Sequence, residues 1–88
     1  MTSIVNIKKH KCDVYCGRGS SYGNPFRIGY DGTRDEVIKK YKEYFYKKIL
    51  TDSIFRDKVL ELKGKILGCY CFPLACHCEV IVEYLDNL

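Results

Sequence analysis

Gly68-Cys69-Tyr70-Cys71-Phe72-Pro73-Leu74-Ala75-Cys76-His77-Cys78 holds four of the six cysteines and one of the two histidines of the chain. It reads as the end of a strand, a short Pro turn and the start of the last helix. Side chains on a strand alternate with period two, so Cys69 and Cys71 are expected on one face. Cys76 and His77 then open a helix, where free backbone N–H groups and the helix dipole favour a thiolate. This arrangement draws several sulfurs and an imidazole together. Metal binding, thiol chemistry and plain packing remain open for them.

Working outward, Lys65–Cys71 is apolar enough to be the central strand of a small sheet. The final helix begins near Cys76 and runs through Leu85, with Ile81, Leu85 and Leu88 facing the core and Glu79 in its first turn. Upstream, Asp52 or Ser53 caps a shorter helix whose apolar face is Phe55, Val59 and Leu62. Gly64 serves as its stop. A longer helix starts at Thr33, where Thr33-Arg34-Asp35-Glu36 forms a capping box. Val37, Tyr41, Phe45 and Ile49 recur every four residues and give its core stripe. Lys39, Lys40, Lys42, Lys47 and Lys48 lie mostly off the stripe, and a solvated basic face outweighs nucleic-acid binding as their reading.

Nearer the N-terminus, Ser3–Ile7 is a short β-branched strand and Lys8-Lys9-His10-Lys11 a basic link. His10 reads as a solvated surface residue. Asp13–Cys16 is a second strand. It runs into a long shaped loop from Gly17 to Arg27, too rich in Gly and Pro for helix or strand. The expected fold is therefore α/β: a single small domain over residues 1–88, about three strands with helices packed on the sheet, in the order β-β-α-α-β-α. The two helices between strands two and three form a crossover that would make those strands parallel.

The chain has 88 residues, so its core is small, and a metal, a disulfide or a dimer contact would supplement it. Hydrophobic (47%) and charged (30%) shares are those of a globular protein rather than a disordered one. A net charge of +4 permits an anionic partner without requiring one. Neither a secretory signal nor a membrane span is visible, so a cytoplasmic location is expected, with reduced thiols.

The loop is the first candidate site. Its glycines permit close backbone approach to a ligand. Ser20, Ser21 and Asn24 offer hydrogen bonds, Arg18 and Arg27 offer planar charged forks for phosphate or carboxylate, and Tyr22 and Phe26 offer faces for a base. It is neither a P-loop nor a dinucleotide fingerprint: no Gly-Lys-Ser/Thr ending is present, and Tyr22 stands where a third Gly should be. The competing reading is an elaborate turn whose Ser and Asn satisfy its own backbone.

The thiol cluster is the second. Zinc accepts Cys and His in a tetrahedral set. Cys69, Cys71 and Cys76 would supply three ligands, with Cys78, Cys12 or Cys16 as a fourth. Adjacent Cys76 and His77 diverge by about 100° on a helix and would not normally share one ion. A reactive Cys76 with His77 as acid or base is the catalytic alternative. A Cys71–Cys76 disulfide is the third, disfavoured by the reducing context.

At these motifs the sequence resembles an uncharacterised domain family of bacteria, phages and large DNA viruses. The matching residues are Val5-Asn6-Ile7, Asp13-Val14-Tyr15, Gly17-Arg18, Ser20, Gly23-Asn24-Pro25-Phe26, Lys40-Tyr41, Leu67-Gly68-Cys69-Tyr70-Cys71 and Cys76-His77. Tyr22 and Tyr70 stand where that family has Trp, and Gly19 where it often has Pro. Cys12, Cys16 and Cys78 fall outside the pattern. The resemblance therefore implies a shared site of Cys69, Cys71, Cys76 and His77, in which a tetrahedral zinc would need His77 or a water.

The pattern also pairs Arg18, Ser20 and Asn24 with Cys71, Cys76 and His77. If strands two and three are neighbours, both groups lie at one sheet edge, where α/β folds bind ligands. The expected function is binding of a phosphate-bearing small molecule, a nucleotide or a nucleic-acid end. Arg18, Ser20, Asn24 and Arg27 would hold it, Tyr22 would stack, and Cys76 or His77 would carry any chemistry. The alternatives are a non-enzymatic zinc-stapled module and an interaction domain with buried thiols and no site.

Overall fold

A computed structural model describes residues 1–88. The elements are β1 (Ser3–Asn6), β2 (Val14–Tyr15), α1 (Arg34–Thr51), α2 (Ser53–Leu60), β3 (Ile66–Cys69) and α3 (Cys78–Asp86), in the expected order. The sheet has three strands in the order β1-β3-β2, and both pairs are parallel. The ladder beside β2 continues past the strand itself: Asp13 N–H donates to Ile66 O (2.8 Å) and Cys16 N–H to Gly68 O (2.9 Å).

Strands β1 and β2 flank β3 and run the same way, so the link between them must cross β3. It does so over Gly68. A Cβ there would meet Cys12 Sγ and Ile7 Cγ2 at 2.5 Å each. The alternation of the strand then turns Leu67 and Cys69 to the opposite face, where both are buried in the core. The link covers one face of the sheet and the helices cover the other.

Local chemistry explains the helices. The capping box at Thr33 and Glu36 is complete, and the buried stripe of α1 is Val37, Tyr41, Phe45 and Ile49. Asp52 caps α2 by accepting from Phe55 N–H. Gly64 takes φ +82, which frees the chain to turn into β3. Ahead of α3, Cys76 N–H donates to Glu79 Oε2 (3.2 Å), while the N-cap residue His77 gives no side-chain cap. Helix α1 spans 18 residues, but no helix is long and apolar enough to cross a membrane.

Three expectations need correction. Strand β3 ends at Cys69, and Tyr70 to Pro73 leave it in a turn through a cis Phe72–Pro73 bond, so Cys71 does not share a strand face with Cys69. Leu88 is exposed, since α3 stops at Asp86. Lys48 is not solvated like its neighbours: its ammonium lies 4.6 Å from the Phe55 ring centroid.

Candidate functional site

The two sequence motifs meet at the C-terminal edge of the sheet. Gly17 and Arg18 follow β2, Cys69 ends β3 and Tyr70 and Cys71 follow it, Arg34 and Val37 belong to the first turn of α1, and Ala75 to His77 lead into α3. Together with Asn24, Phe26, Ile28 and Ile38 they line one pocket of about 160 Å³.

The loop motif divides into residues that build the pocket and residues that face it. Ser20 Oγ donates to Gly17 O (2.7 Å) and accepts from Tyr22 N–H (3.3 Å). Asn24 is buried; its Nδ2 donates to Val37 O (3.1 Å) and its Oδ1 accepts from Phe26 N–H (2.9 Å). Ser20 is committed to the turn itself, and Asn24 to the turn and to the first turn of α1. Tyr22 packs toward Phe55 (6.4 Å between centroids), and its carbonyl accepts from the Tyr41 hydroxyl (2.8 Å). It is part of the wall behind the pocket, and the exposed ring at the pocket is Tyr70. Arg27 lies outside the pocket, where its backbone N–H donates to Asp31 Oδ2 (2.8 Å).

Arg18 lines the pocket, and so does Arg34, which the sequence reading passed over as a member of the capping box. Arg34 Nη1 donates to Ala75 O (3.1 Å), which ties the start of α1 to the turn before α3. Only the folded chain shows that this residue faces the cysteine motif.

Asn24→Ala removes two hydrogen bonds from a buried site. It should cost on the order of 1–3 kcal/mol, because the Phe26 N–H loses its partner away from water. Urea unfolding measures this, and a change below about 0.5 kcal/mol would show that the loop holds its shape without Asn24.

The thiols that converge are Cys69, Cys76 and Cys78, whose sulfurs all lie within 4.8 Å of one another and could hold a metal ion. The Cys76 and Cys69 sulfurs are 3.0 Å apart. Cys71 stands half-buried at the pocket rim, outside this group. All six cysteines are free, and the Cys71–Cys76 disulfide weighed above is not formed. Cys78 joins through the first turn of α3. Cys16 contacts Cys78, because the pairing of β2 with β3 sets it beside Cys69.

His77 is buried, with Tyr41 edge-on at 5.0 Å between centroids. Its Nε2 lies 2.6 Å from Cys16 O. A carbonyl only accepts, so Nε2 carries the proton and the neutral ring presents a bare Nδ1. That nitrogen lies 3.8 Å from Cys76 Sγ. Burial pushes the His77 pKa down and favours this neutral form.

Hydrogen bonds link the thiols of the cluster. Hydrogen bonds from the Cys76 and Cys78 thiols, with backbone N–H groups of Phe72 and Cys71, hold the Cys69 thiol well below the usual range. The bond to Cys69 pushes Cys76 up, and bonds to Cys16, Cys69 and Cys76 push Cys78 up. A first proton therefore leaves the bonded group more readily than an isolated thiol's, and the charge belongs to the group.

Fold and pocket define a small parallel α/β domain with a thiol-lined site at its C-terminal sheet edge. The chain belongs to the family described as "Domain of unknown function (DUF4326)", whose profile matches residues 5–87. It is similar to the phage T4 protein described as "Uncharacterized 12.4 kDa protein in nrdA-td intergenic region", with 34% identity over 86 residues, covering 97% of this chain and 78% of that one. It is also similar to an uncharacterized protein of Acanthamoeba polyphaga mimivirus, with 34% identity over 104 residues, covering 91% of this chain and 76% of that one. No solved structure matches it.

Proposed function

We propose that the chain binds a phosphate-bearing ligand, a nucleotide or a nucleic-acid end, in the pocket between Arg18 and Arg34. The observation that carries this reading is the pocket lining, in which the loop motif and the cysteine motif form one wall with both arginines on it. A guanidinium matches a phosphate with two parallel N–H···O bonds. A pocket of about 160 Å³ encloses a phosphate group and leaves the nucleoside at the mouth, where the exposed Tyr70 ring offers a stacking face. Ser20 and Asn24 support the loop rather than the ligand. Cys76 and His77, which line the same pocket with Cys69, would carry any chemistry on what binds.

Arg18→Ala tests the reading, because the side chain is exposed and its loss should leave the fold intact. Charge-assisted hydrogen bonds contribute about 1.5–3 kcal/mol, so binding should weaken by about 10- to 100-fold. Calorimetric titration with inorganic phosphate, nucleoside monophosphates and a 5′-phosphorylated oligonucleotide reads the change. Equal affinity in the variant would overturn the assignment.

A second reading is favoured by the convergence of Cys69, Cys76 and Cys78. In it, a zinc ion staples β3 to α3 and the chain is a non-enzymatic interaction module. An all-sulfur donor set suits zinc far better than magnesium or calcium.

A further inference from the structure

The thiol group and the pocket share a wall. Cys69 and Cys76 line the pocket, while Cys78 stands behind them, fully buried. We infer that Cys69, Cys76 and Cys78 hold one zinc ion whose fourth position opens into the Arg18–Arg34 pocket, where an oxygen of a bound phosphate group completes the coordination. This rests on the phosphate reading of the pocket and joins it to the metal.

Several observations converge on it. The three sulfurs sit within 4.8 Å of one another, a spacing that bonds of about 2.3 Å to a common ion bridge with small side-chain rotations. A bound cation would take the place of the thiol protons and offset the charge of the three buried sulfurs. No carboxylate belongs to the group, which selects a thiophilic ion.

The protein does not close the fourth position well. His77 Nδ1 lies 3.8 Å from Cys76 Sγ, but His77 falls outside the set of ligand atoms that all lie within 4.8 Å of one another, so it stands beside the group rather than in it. Cys71 lies at the rim, and Cys16 touches Cys78 but falls outside the group. Three protein ligands with an open position are the arrangement of a zinc that works on a bound molecule. Here the arginines would draw the anion in, and the ion would polarise its oxygen.

The test uses the 88-residue chain purified without chelator. Zinc is counted, then exchanged for Co(II), and the visible spectrum is followed during titration with inorganic phosphate and, separately, azide. The expected result is one ion per chain, thiolate-to-cobalt charge transfer, and ligand-field bands that move with either anion. In Arg18→Ala the azide response should persist while phosphate is needed at about 10-fold higher concentration or more. Failure to bind either metal after reconstitution would overturn the inference and leave the phosphate pocket to the calorimetric test. Bound metal whose bands neither anion moves, with charge transfer that falls in Cys16→Ser, would overturn the open position and support a closed staple. Bands that move with azide but not phosphate would overturn the meeting of metal and phosphate.

Discussion

Phe45→Ala is expected to lower the thermal unfolding midpoint by on the order of 20 °C. Phe45 is fully buried and stands at the centre of the aromatic core. Its ring centroid lies 5.8 Å from Tyr41, 5.5 Å from Tyr46, 5.8 Å from Phe55 and 5.6 Å from Tyr84. These contacts join α1 to α2 and to α3. Truncation removes transfer free energy and leaves a cavity among rigid rings, at a cost of about 3–5 kcal/mol. A chain of this length has only about 4–13 kcal/mol in total, so much of its stability goes with one side chain. Phe45→Leu refills most of the space and should cost much less. Circular dichroism melts of the two variants measure the difference. An alanine variant within a few degrees of the parent would mean that the three helices are held by something other than this cluster.

The scaffold was the most legible part of the chain. The four-residue recurrence of Val37, Tyr41, Phe45 and Ile49 identified the buried face of α1 without error, because every one of those positions answers to helix geometry alone. The Thr33 capping box and the Asp52 cap are likewise local chemistry and were readable as such. The parallel pairing of β2 with β3 followed from the helical crossover between them, whereas the place of β1 on the far side of β3 did not. The site was harder because its membership depends on where elements stop. Period-two alternation predicts that Cys71 joins Cys69 only while the strand lasts, and β3 ends at Cys69. Cys78 takes the place expected of Cys71 through the first turn of α3, a relation no spacing rule in the sequence expresses. Arg34 faces the pocket because α1 packs beside the turn before α3, a contact between residues 41 positions apart. Ser20 and Asn24 have the right chemistry for a ligand, but the backbone of their own loop and, for Asn24, of α1 claims it first.

Gly68 ties scaffold and site together, and its substitution is the most informative structural test. A Cβ at this position would stand 2.5 Å from Cys12 Sγ, 2.5 Å from Ile7 Cγ2 and 2.8 Å from Cys12 Cβ, all inside contact distance. Gly68→Ala should therefore cost about 1–3 kcal/mol by overpacking, and Gly68→Val more, since the link must lift from the sheet. The consequence reaches the pocket, because Gly68 O accepts from Cys16 N–H at 2.9 Å, and Cys16 O in turn lies 2.6 Å from His77 Nε2. A displaced link would shift β2 and loosen the carbonyl that fixes the His77 tautomer. Adding Cys12→Ala to Gly68→Ala removes one of the clashing atoms and should recover part of the loss, with a coupling of about 0.5–3 kcal/mol between the two positions. Urea unfolding of the parent, both single variants and the double variant gives that coupling. Additive costs would show that the link does not rest on Gly68. A recovery of stability without recovery of phosphate affinity would show that the route from Gly68 through Cys16 to His77 sets the shape of the pocket as well as the strength of the fold.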